Sequence, residues 1–381
     1  MARPSSPMLT TAAGATRWVP MDVVSRDLSL LPKAHLHLHL AGAMRPATLV
    51  ELAREQGRRL PAELVDPTGA HVDVSARRGW SRFQRLYDAA REVVVGPDEV
   101  RRLVREIAED ERAAGSGWVE VQVDPSSYAA RLGGLQVTVE VVLDAMAAAA
   151  GDTGVGMALV VAANRTRHPG DAETLARVAR RFADVAGGGP RVVGFGLSND
   201  ETKGPPEQFA KAFRIAKDAG LLSVPHAGEL RGTRSVHGAV EALQADRLGH
   251  GVRSVEDPET VQLLAERGVV LEVCPASNVA LGVAGAVELV PVRQLREAGV
   301  PVALGADDPL LFRSGLLEQY AAVRLQQGLD DDALAGLAGD AVRGSAAPPE
   351  VKQRLLDGIT AWRAAPAAAE GALVTHVKMR A

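Results

Sequence analysis

The chain has 381 residues, of which 46% are hydrophobic, 24% are charged and only 3% are aromatic. This composition is typical of a globular protein whose core is built from Ala, Val and Leu. The 43 basic and 47 acidic residues give a formal charge of −4 and form no basic stripe, which argues against nucleic acid as a partner.

The only cysteine, Cys274, excludes an intrachain disulfide and a cysteine-only metal cage, and it fits a reducing cytoplasm. No segment has the apolar run of a signal peptide or the roughly 20 apolar residues of a membrane span, so we expect no membrane association. We expect residues 28–365 to form one domain between flexible tails at residues 1–27 and 366–381.

Short runs rich in Val and Leu alternate with longer segments of helical periodicity. Several runs are too uniformly apolar for a half-exposed sheet and favour strands covered on both faces. Residues 99–115 and 174–185 place apolar residues three and four apart, and Gly115 stands where a helix would end. The eight predicted strands cover residues 34–40, 118–124, 155–164, 191–199, 221–229, 246–252, 269–278 and 301–309.

A strand followed by a helix, repeated eight times, predicts an α/β fold of the closed (β/α)8 TIM-barrel type. A doubly wound open sheet is the alternative, but its G-x-G-x-x-G fingerprint is absent after the first strand. The long first connection, residues 41–117, contains Trp80, Phe83 and Tyr87. We interpret it as a helical lid over the mouth of the barrel. An insert that packs beside the barrel for stability is the other interpretation.

Ionisable side chains gather where the predicted strands end. A buried strand should not end in such groups unless they are satisfied there, since unpaired burial costs several kcal/mol. The carboxyl ends of barrel strands are also where these folds carry their chemistry. The residues concerned are His37, His39, His226, Glu229, His250, Asp307 and Asp308.

The stretch LPKAHLHLHLAGAMRP places His35, His37 and His39 at alternate positions, so a regular strand would point all three into the lumen. At about 3.3 Å per residue, His37 and His39 are close enough to share one zinc ion. We expect His35, one layer deeper, to be a satisfied core histidine. His226 and Asp307 stand at strand ends that can supply a further nitrogen and oxygen, with a position left for water.

The motifs LPKAHLHLHLAGAMRP, HAGE, RLGHGV, CPASN and LGADDP occur in this order over residues 32–309. Together they resemble the adenosine deaminase family of the amidohydrolase superfamily. The resemblance implies a barrel that binds one Zn²⁺ per chain and deaminates a small-molecule purine nucleoside, with adenosine as the default substrate. The zinc ligands that it implies are His37, His39, His226 and Asp307.

The resemblance also implies catalytic roles. Glu229 would face N1 of the 6-aminopurine and donate a proton to it, while Asp308 would contact N7. His250 would orient the attacking water, and His250 and Asp307 would accept its proton. Zinc lowers the pKa of bound water from 15.7 toward ~7, so hydroxide forms near neutrality. Ammonia then leaves, and a 6-oxopurine remains.

Two positions depart from the family pattern at the sugar end of the substrate. Ala41 stands where the family usually has an acidic residue that contacts the ribose 5′-hydroxyl. GLSNDE replaces the usual DLAGDE, which puts Gly196 at the position of the Asp and Asn199 at that of a glycine. We therefore take His39, Asp308, Asn199 and Ala41 as candidate substrate contacts. A nucleoside with a modified 5′ end, such as 6-amino-6-deoxyfutalosine, is the alternative substrate.

Three other classes of protein are alternatives to this interpretation. A binuclear amidohydrolase would need a bridging lysine at the end of the fourth strand, where this chain has Asn199, with Lys203 several residues later. The zinc site of cytidine deaminases needs two cysteines, and this chain has one. A barrel that keeps zinc only to serve as a binding protein would have no need of Glu229, His250 and Asp308 beside the metal.

Overall fold

The computed structural model describes residues 25–65, 79–184 and 189–366. The predicted tails fall mostly outside these residues, at 1–24 and 367–381. Arg26, which was assigned to the first tail, forms an ion pair with Asp331 at 2.9 Å. None of the helices within the described residues is long and apolar enough to cross a membrane.

Eight parallel strands follow one another around the sheet in chain order, as the alternation of apolar runs predicted. Each strand lies within or next to one of the eight predicted runs. The last two are shorter than predicted, so the polar residues after them lie in the connections at the mouth. The strands are β1 (Lys33–His39), β2 (Ser116–Val123), β3 (Gly156–Asn164), β4 (Val192–Ser198), β5 (Leu222–Ala227), β6 (Arg247–His250), β7 (Val270–Val273) and β8 (Val302–Leu304).

The sheet curves into a barrel, and the last strand returns to the first. Leu38 of β1 forms a parallel bridge with Asp307, just beyond β8. The amide of His39 donates to the carbonyl of Asp307 at 3.1 Å, and the amide of Asp307 donates to the carbonyl of His37 at 3.0 Å. The (β/α)8 prediction is therefore confirmed, and the closure brings the two histidines beside the carboxylate.

Helices surround the barrel and also cover its mouth. They are α1 (Pro46–Glu55), α2 (Ala62–Val65), α3 (Gly79–Arg91), α4 (Pro97–Ala113), α5 (Ala129–Leu132), α6 (Leu135–Thr153), α7 (Pro169–Ala179), α8 (Ala210–Lys217), α9 (Thr233–Ala242), α10 (Pro258–Arg267), α11 (Pro275–Ala280), α12 (Val292–Glu297), α13 (Pro309–Phe312), α14 (Leu316–Gln327), α15 (Asp331–Gly344) and α16 (Pro349–Ala364).

The first connection has two parts. Its last helix, α4, packs against α6 and β2 and belongs to the outer ring of the barrel. As predicted, this helix stops before Gly115, whose φ of +79° lies in the left-handed region. The part of the connection that is extra to the barrel is therefore shorter than residues 41–117, and its helices within residues 41–65 and 79–96 are α1, α2 and α3.

One prediction about β1 was wrong. Between His35 and Leu38 the pairing with β2 shifts by one residue, a bulge that changes which side chains face the lumen. His35 therefore points to the outer helix α4, where its Nδ1 lies 2.7 Å from Oε1 of Glu111. Its Nε2 accepts a hydrogen bond from the amide of Ala306 at 3.0 Å. His35 is a satisfied core histidine, as expected, but it does not point into the lumen.

Candidate metal and purine site

Four imidazoles and one carboxylate meet at the carboxyl end of the barrel. The ring centroid of His37 lies 5.3 Å from that of His39, 4.6 Å from that of His226 and 4.9 Å from that of His250. Oδ1 of Asp307 lies 3.5 Å from Nε2 of His37 and 3.3 Å from Nε2 of His39. The structure thus brings together all four residues predicted as metal ligands.

These donors fit a divalent cation that prefers nitrogen and oxygen. Potential ligand atoms of His37, His39 and Asp307 lie within 4.8 Å of one another, and so do those of His37, His226 and His250. Nε2 of His37 and Nδ1 of His226 are buried and have no hydrogen-bond partner among the described residues. Since unpartnered buried nitrogens are costly, a cation that binds their lone pairs would satisfy the site.

A carboxylate behind the site orients His37. Oε2 of Glu272, on β7, lies 2.9 Å from Nδ1 of His37. This contact favours the tautomer with a proton on Nδ1 and leaves Nε2 for a metal, as metal-binding histidines commonly require. Burial disfavours a charged ring, but the nearby carboxylates of Asp307 and Glu272 raise the pKa of His37 to about 10. A cation that binds here therefore competes with a proton.

Glu272 belongs in turn to a buried ion network. Its Oε1 lies 2.7 Å from Nε of Arg247, and Nη2 of Arg247 lies 2.5 Å from Oε2 of Glu120. All three side chains are at most 1% exposed. No motif in the sequence predicts this layer. Its signal is that Glu120 and Glu272 are carboxylates inside mostly apolar strands.

Two of the other three imidazoles, those of His226 and His250, are held neutral. Burial, followed by the neighbouring rings of His37, His250 and His39, lowers the pKa of His226 well below its usual value. Burial also lowers the pKa of His250 to about 3, although Asp307 opposes this shift. Burial opposes ionisation of Asp307, but His37 and His39 hold its pKa well below the usual range. His226 and His250 therefore offer neutral nitrogens beside the ionised carboxylate of Asp307.

The remaining two carboxyl groups have the opposite tendency. Burial, assisted by Asp307 and Glu201, raises the pKa of Glu229 well above its usual value. Its Oε1 lies 3.5 Å from Nε2 of His250. Burial and the charge of Asp307 likewise raise the pKa of Asp308. Both shifts favour the protonated carboxyl groups, which are able to donate hydrogen bonds.

The backbone is strained at the site. Within the described residues, five non-glycine residues have positive φ angles, and three of them are Asn199 (78°), His250 (66°) and Asp307 (60°). Such conformations cost about 1–3 kcal/mol each and tend to cluster where function requires them. Asn199 occupies the position at which the family pattern has glycine. Asn tolerates the left-handed region better than most residues, so the turn keeps its shape.

A pocket of about 720 Å³, including its open mouth, leads to these residues. Trp80, Phe83, Gln84 and Tyr87 of α3 line it, so this helix of the first connection covers the site. The ring of Phe83 stacks on that of Phe312 at 5.6 Å with an angle of 6° between the planes. The alternative of an insert lying only beside the barrel does not describe α3. That the helix opens and closes as a lid stays a prediction.

Three of the four predicted substrate contacts line this pocket, namely His39, Asp308 and Asn199. Ala41 is fully buried and is not among the lining residues of the described chain. Its methyl group lies inside the protein, so its predicted role as a direct contact is not supported. Nδ2 of Asn199 donates to Oε1 of Gln84 at 3.0 Å and thereby connects the barrel to α3.

Lys203 and Cys274 are the residues on which two of the rival classes depend. The side chain of Lys203 is 66% exposed and pairs with Asp200 at 3.8 Å, so it does not bridge metals in the barrel. Cys274 is fully buried, as expected of a small core residue, and burial raises the pKa of its thiol. Neither residue supports a binuclear site or a cysteine nucleophile.

The barrel and the clustered His and Asp residues at its mouth define an amidohydrolase-type deaminase. The chain belongs to the adenosine deaminase family, whose model matches residues 32–362. It is therefore a hydrolytic deaminase that acts on purines.

Relatives and solved structures agree. A Streptomyces coelicolor protein named "Putative adenosine/adenine deaminase" is 57% identical, over 88% of this chain and 98% of its own. An aminodeoxyfutalosine deaminase of the same organism is 34% identical, over 90% and 88%. The crystal structure of an adenine deaminase from Arthrobacter aurescens is 29% identical with a TM-score of 0.78, over 88% and 99%. An amidohydrolase structure from Burkholderia ambifaria with bound Zn is 26% identical with a TM-score of 0.76, over 90% and 96%.

Proposed function

We propose that this protein catalyses the zinc-dependent hydrolytic deamination of a 6-aminopurine nucleoside, with adenosine as the default substrate and inosine and ammonia as products. One observation carries the proposal. The buried carboxyl group of Glu229, whose raised pKa favours its protonated form, lies beside four clustered imidazoles and the carboxylate of Asp307. This pairing of an acid with a cation site is what hydrolytic attack on an amidine carbon requires.

The residues that would hold the zinc ion are His37, His39, His226 and Asp307, whose nitrogen and oxygen donors are ordinary zinc ligands. When bound there, the ion would lower the pKa of a water molecule toward ~7. The related amidohydrolase that was solved with bound Zn supports this choice of metal.

The side chains around the cation site would move the protons. Glu229 would donate its proton to N1 of the purine. Protonation of N1 reduces the aromatic character of the ring and makes C6 more susceptible to attack. The neutral ring of His250 lies 3.5 Å from Glu229 and 4.0 Å from Oδ2 of Asp307. It can therefore orient the attacking water and accept a proton from it. Asp307 would share this role. The proton taken from the water would then pass to the exocyclic amine, which leaves as ammonia. The hydroxyl group on C6 would return a proton to Glu229, and a 6-oxopurine remains.

Asp308 would fix the orientation of the purine. The raised pKa of Asp308 favours the protonated carboxyl group, which would donate a hydrogen bond to N7, an acceptor. Gly42 makes room for this carboxyl group, since a Cβ on Gly42 would lie 1.7 Å from Oδ1 of Asp308. The conformations of Asp308 and of the turn after β1 therefore depend on each other.

The sugar end of the substrate defines the second candidate. Ala41 provides no acid for a 5′-hydroxyl, and a 34% identical relative is named aminodeoxyfutalosine deaminase. A 5′-modified adenine nucleoside such as 6-amino-6-deoxyfutalosine is therefore the alternative substrate. Since other relatives near this identity are named adenine deaminase, the free base must also be compared.

The test compares kcat/KM for adenosine, 5′-deoxyadenosine, 6-amino-6-deoxyfutalosine and adenine. Each reaction is monitored by the loss of the adenine absorbance band and by the release of ammonia. We expect adenosine to rank first; a clear preference for another member of the set would replace it. Glu229→Gln keeps the size of the side chain but removes the acid, and should lower kcat by about 10²–10⁴-fold with zinc retained. Glu207→Gln, on an exposed residue, is the matched control.

A further inference from the structure

The loop that carries Glu229 is wrapped around a single buried carboxylate. Glu201, in the connection after β4, is 4% exposed and accepts hydrogen bonds from four consecutive backbone amides. Its Oε1 accepts from Gly228 at 2.6 Å, and its Oε2 accepts from Glu229 at 2.9 Å, Leu230 at 2.6 Å and Arg231 at 2.9 Å.

Consecutive amides that point to one centre form a concave anion site of the kind usually filled by a phosphate or another bound anion. Here the protein supplies the anion itself. The segment 228–231 lies outside the helices and strands, so its amides have no ladder to satisfy them. Their hydrogen bonds to charged oxygens are stronger than those between neutral groups. The carboxylate therefore sets the conformation of this loop.

The loop has little freedom to adopt another conformation. Gly228 has a φ of +76°, and a Cβ there would lie 2.7 Å from Cγ2 of Val236 and 3.1 Å from Cα of Gly251. Only glycine fits this position, and the close contacts around it restrict the backbone between β5 and α9. The conformation of the turn that follows His226 is therefore fixed by two contacts, the close packing around Gly228 and the hydrogen bonds to Glu201.

A buried arginine completes the arrangement. Arg165, at the end of β3, is 2% exposed and donates from Nη2 to the carbonyl oxygen of His226 at 2.9 Å. Its charge interacts favourably with that of Glu201. A buried carboxylate without an opposite charge would be costly, so Arg165 offsets the burial of Glu201 and fixes the residue from which the loop begins.

We propose that Glu201 is a positioning residue for deamination. By binding the amide of Glu229 and of its three neighbours, it holds the Glu229 carboxyl group where it can reach N1 of the purine. The inference rests on the proposed role of Glu229 as the proton donor. Glu201 itself is bonded to the backbone, and its effect on the reaction passes through the geometry of the loop.

The first experiment needs only the wild-type protein. Hydrogen exchange measured by mass spectrometry should show slow exchange of the amides of residues 228–231, although they lie in a loop. Fast exchange of this segment, similar to that of exposed loops, would overturn the proposal.

The second experiment uses Glu201→Gln. A carboxamide keeps one acceptor oxygen and turns an NH2 group toward the other amides, so at least one of the four bonds must be lost. We expect faster exchange confined to residues 228–231, an unchanged zinc content and a fall in kcat of about 100-fold, since small displacements of catalytic groups cost this much. KM should change much less. Glu207→Gln, the same substitution on an exposed residue of the β4–β5 connection, should leave exchange and kcat at wild-type values.

The double variant separates positioning from general destabilisation. If Glu201 acts through Glu229, then Glu201→Gln should lower kcat further by only a small factor once Glu229→Gln is present. Effects that multiply in the double variant, or exchange that is faster across the whole barrel, would refute the positioning role. If the wild-type protein deaminates no 6-aminopurine, the proposed function fails, while the exchange measurements still decide whether Glu201 shapes the loop.

Discussion

Replacement of Arg247 by methionine should destabilise the barrel strongly. The guanidinium group lies 2.5 Å from Glu120 and 2.7 Å from Glu272, and it donates to the carbonyl of Gly344 at 2.9 Å. Methionine fills similar space but leaves two buried carboxylates without their shared cation. Breaking a buried ion pair in this way costs about 3–5 kcal/mol. This is a large part of the 5–15 kcal/mol by which proteins are typically stable.

Urea denaturation provides the assay, with Arg101→Met as the control. Arg101 pairs with Asp98 on the exposed face of α4, where such pairs contribute little. We expect the unfolding midpoint of Arg247→Met to fall well below that of the control. Equal midpoints would show that the network does not stabilise the barrel. Since Glu272 also orients His37, the variant should bind zinc more weakly, which a chelator competition would detect.

Three further predictions concern the site and the bottom of the barrel. Gly42→Ala should lower kcat/KM by about 10–100-fold, because the new methyl group displaces the Asp308 carboxyl group. Gly151→Ala, at a glycine with open space around it, should leave kcat/KM unchanged. Steady-state kinetics of both variants test this, and an unchanged kcat/KM for Gly42→Ala would contradict it. Because burial raises the pKa of Glu229 and its protonated form is the proposed donor, kcat/KM should fall as pH rises through that pKa. A rate profile that stays flat on the alkaline side would argue against this role. Lys33→Met should lower the free energy of unfolding by about 1–3 kcal/mol, because the side-chain amine of Lys33 donates to three buried carbonyl oxygens, two of them at 2.7 and 2.8 Å, and methionine removes this shared donor. Thermal denaturation measures this loss, and an unchanged melting temperature would refute it.

The barrel was predictable because its signal repeats. Each strand is a short apolar run covered on both faces, and the eight runs are separated by segments of helical period, so an error in one run would not change the fold class. The cation site was predictable for a related reason. His37, His39, His226 and Asp307 stand at strand ends, and barrel closure brings strand ends together wherever the connections lie.

The features that could not be predicted from the sequence arise where a single residue changes the local geometry. The bulge in β1 turns His35 away from the lumen, and nothing in the local sequence distinguishes HLHLH with a bulge from the same sequence without one. Glu201 was missed because its partners are backbone amides, which every residue carries and no sequence pattern marks. Glu272 was predictable in principle, since a lone carboxylate inside an apolar strand requires a buried partner.

The hydrogen bond between Asn199 and Gln84 joins two regions with different tasks. The strand ends carry the groups proposed to transfer protons, while α3 comes from the insertion and lines the pocket that leads to them. A change of substrate preference can therefore arise in the covering helix while the reactive centre stays intact. Within one family, this division allows a single deamination chemistry to be directed to purines that differ only in what is attached at the far end.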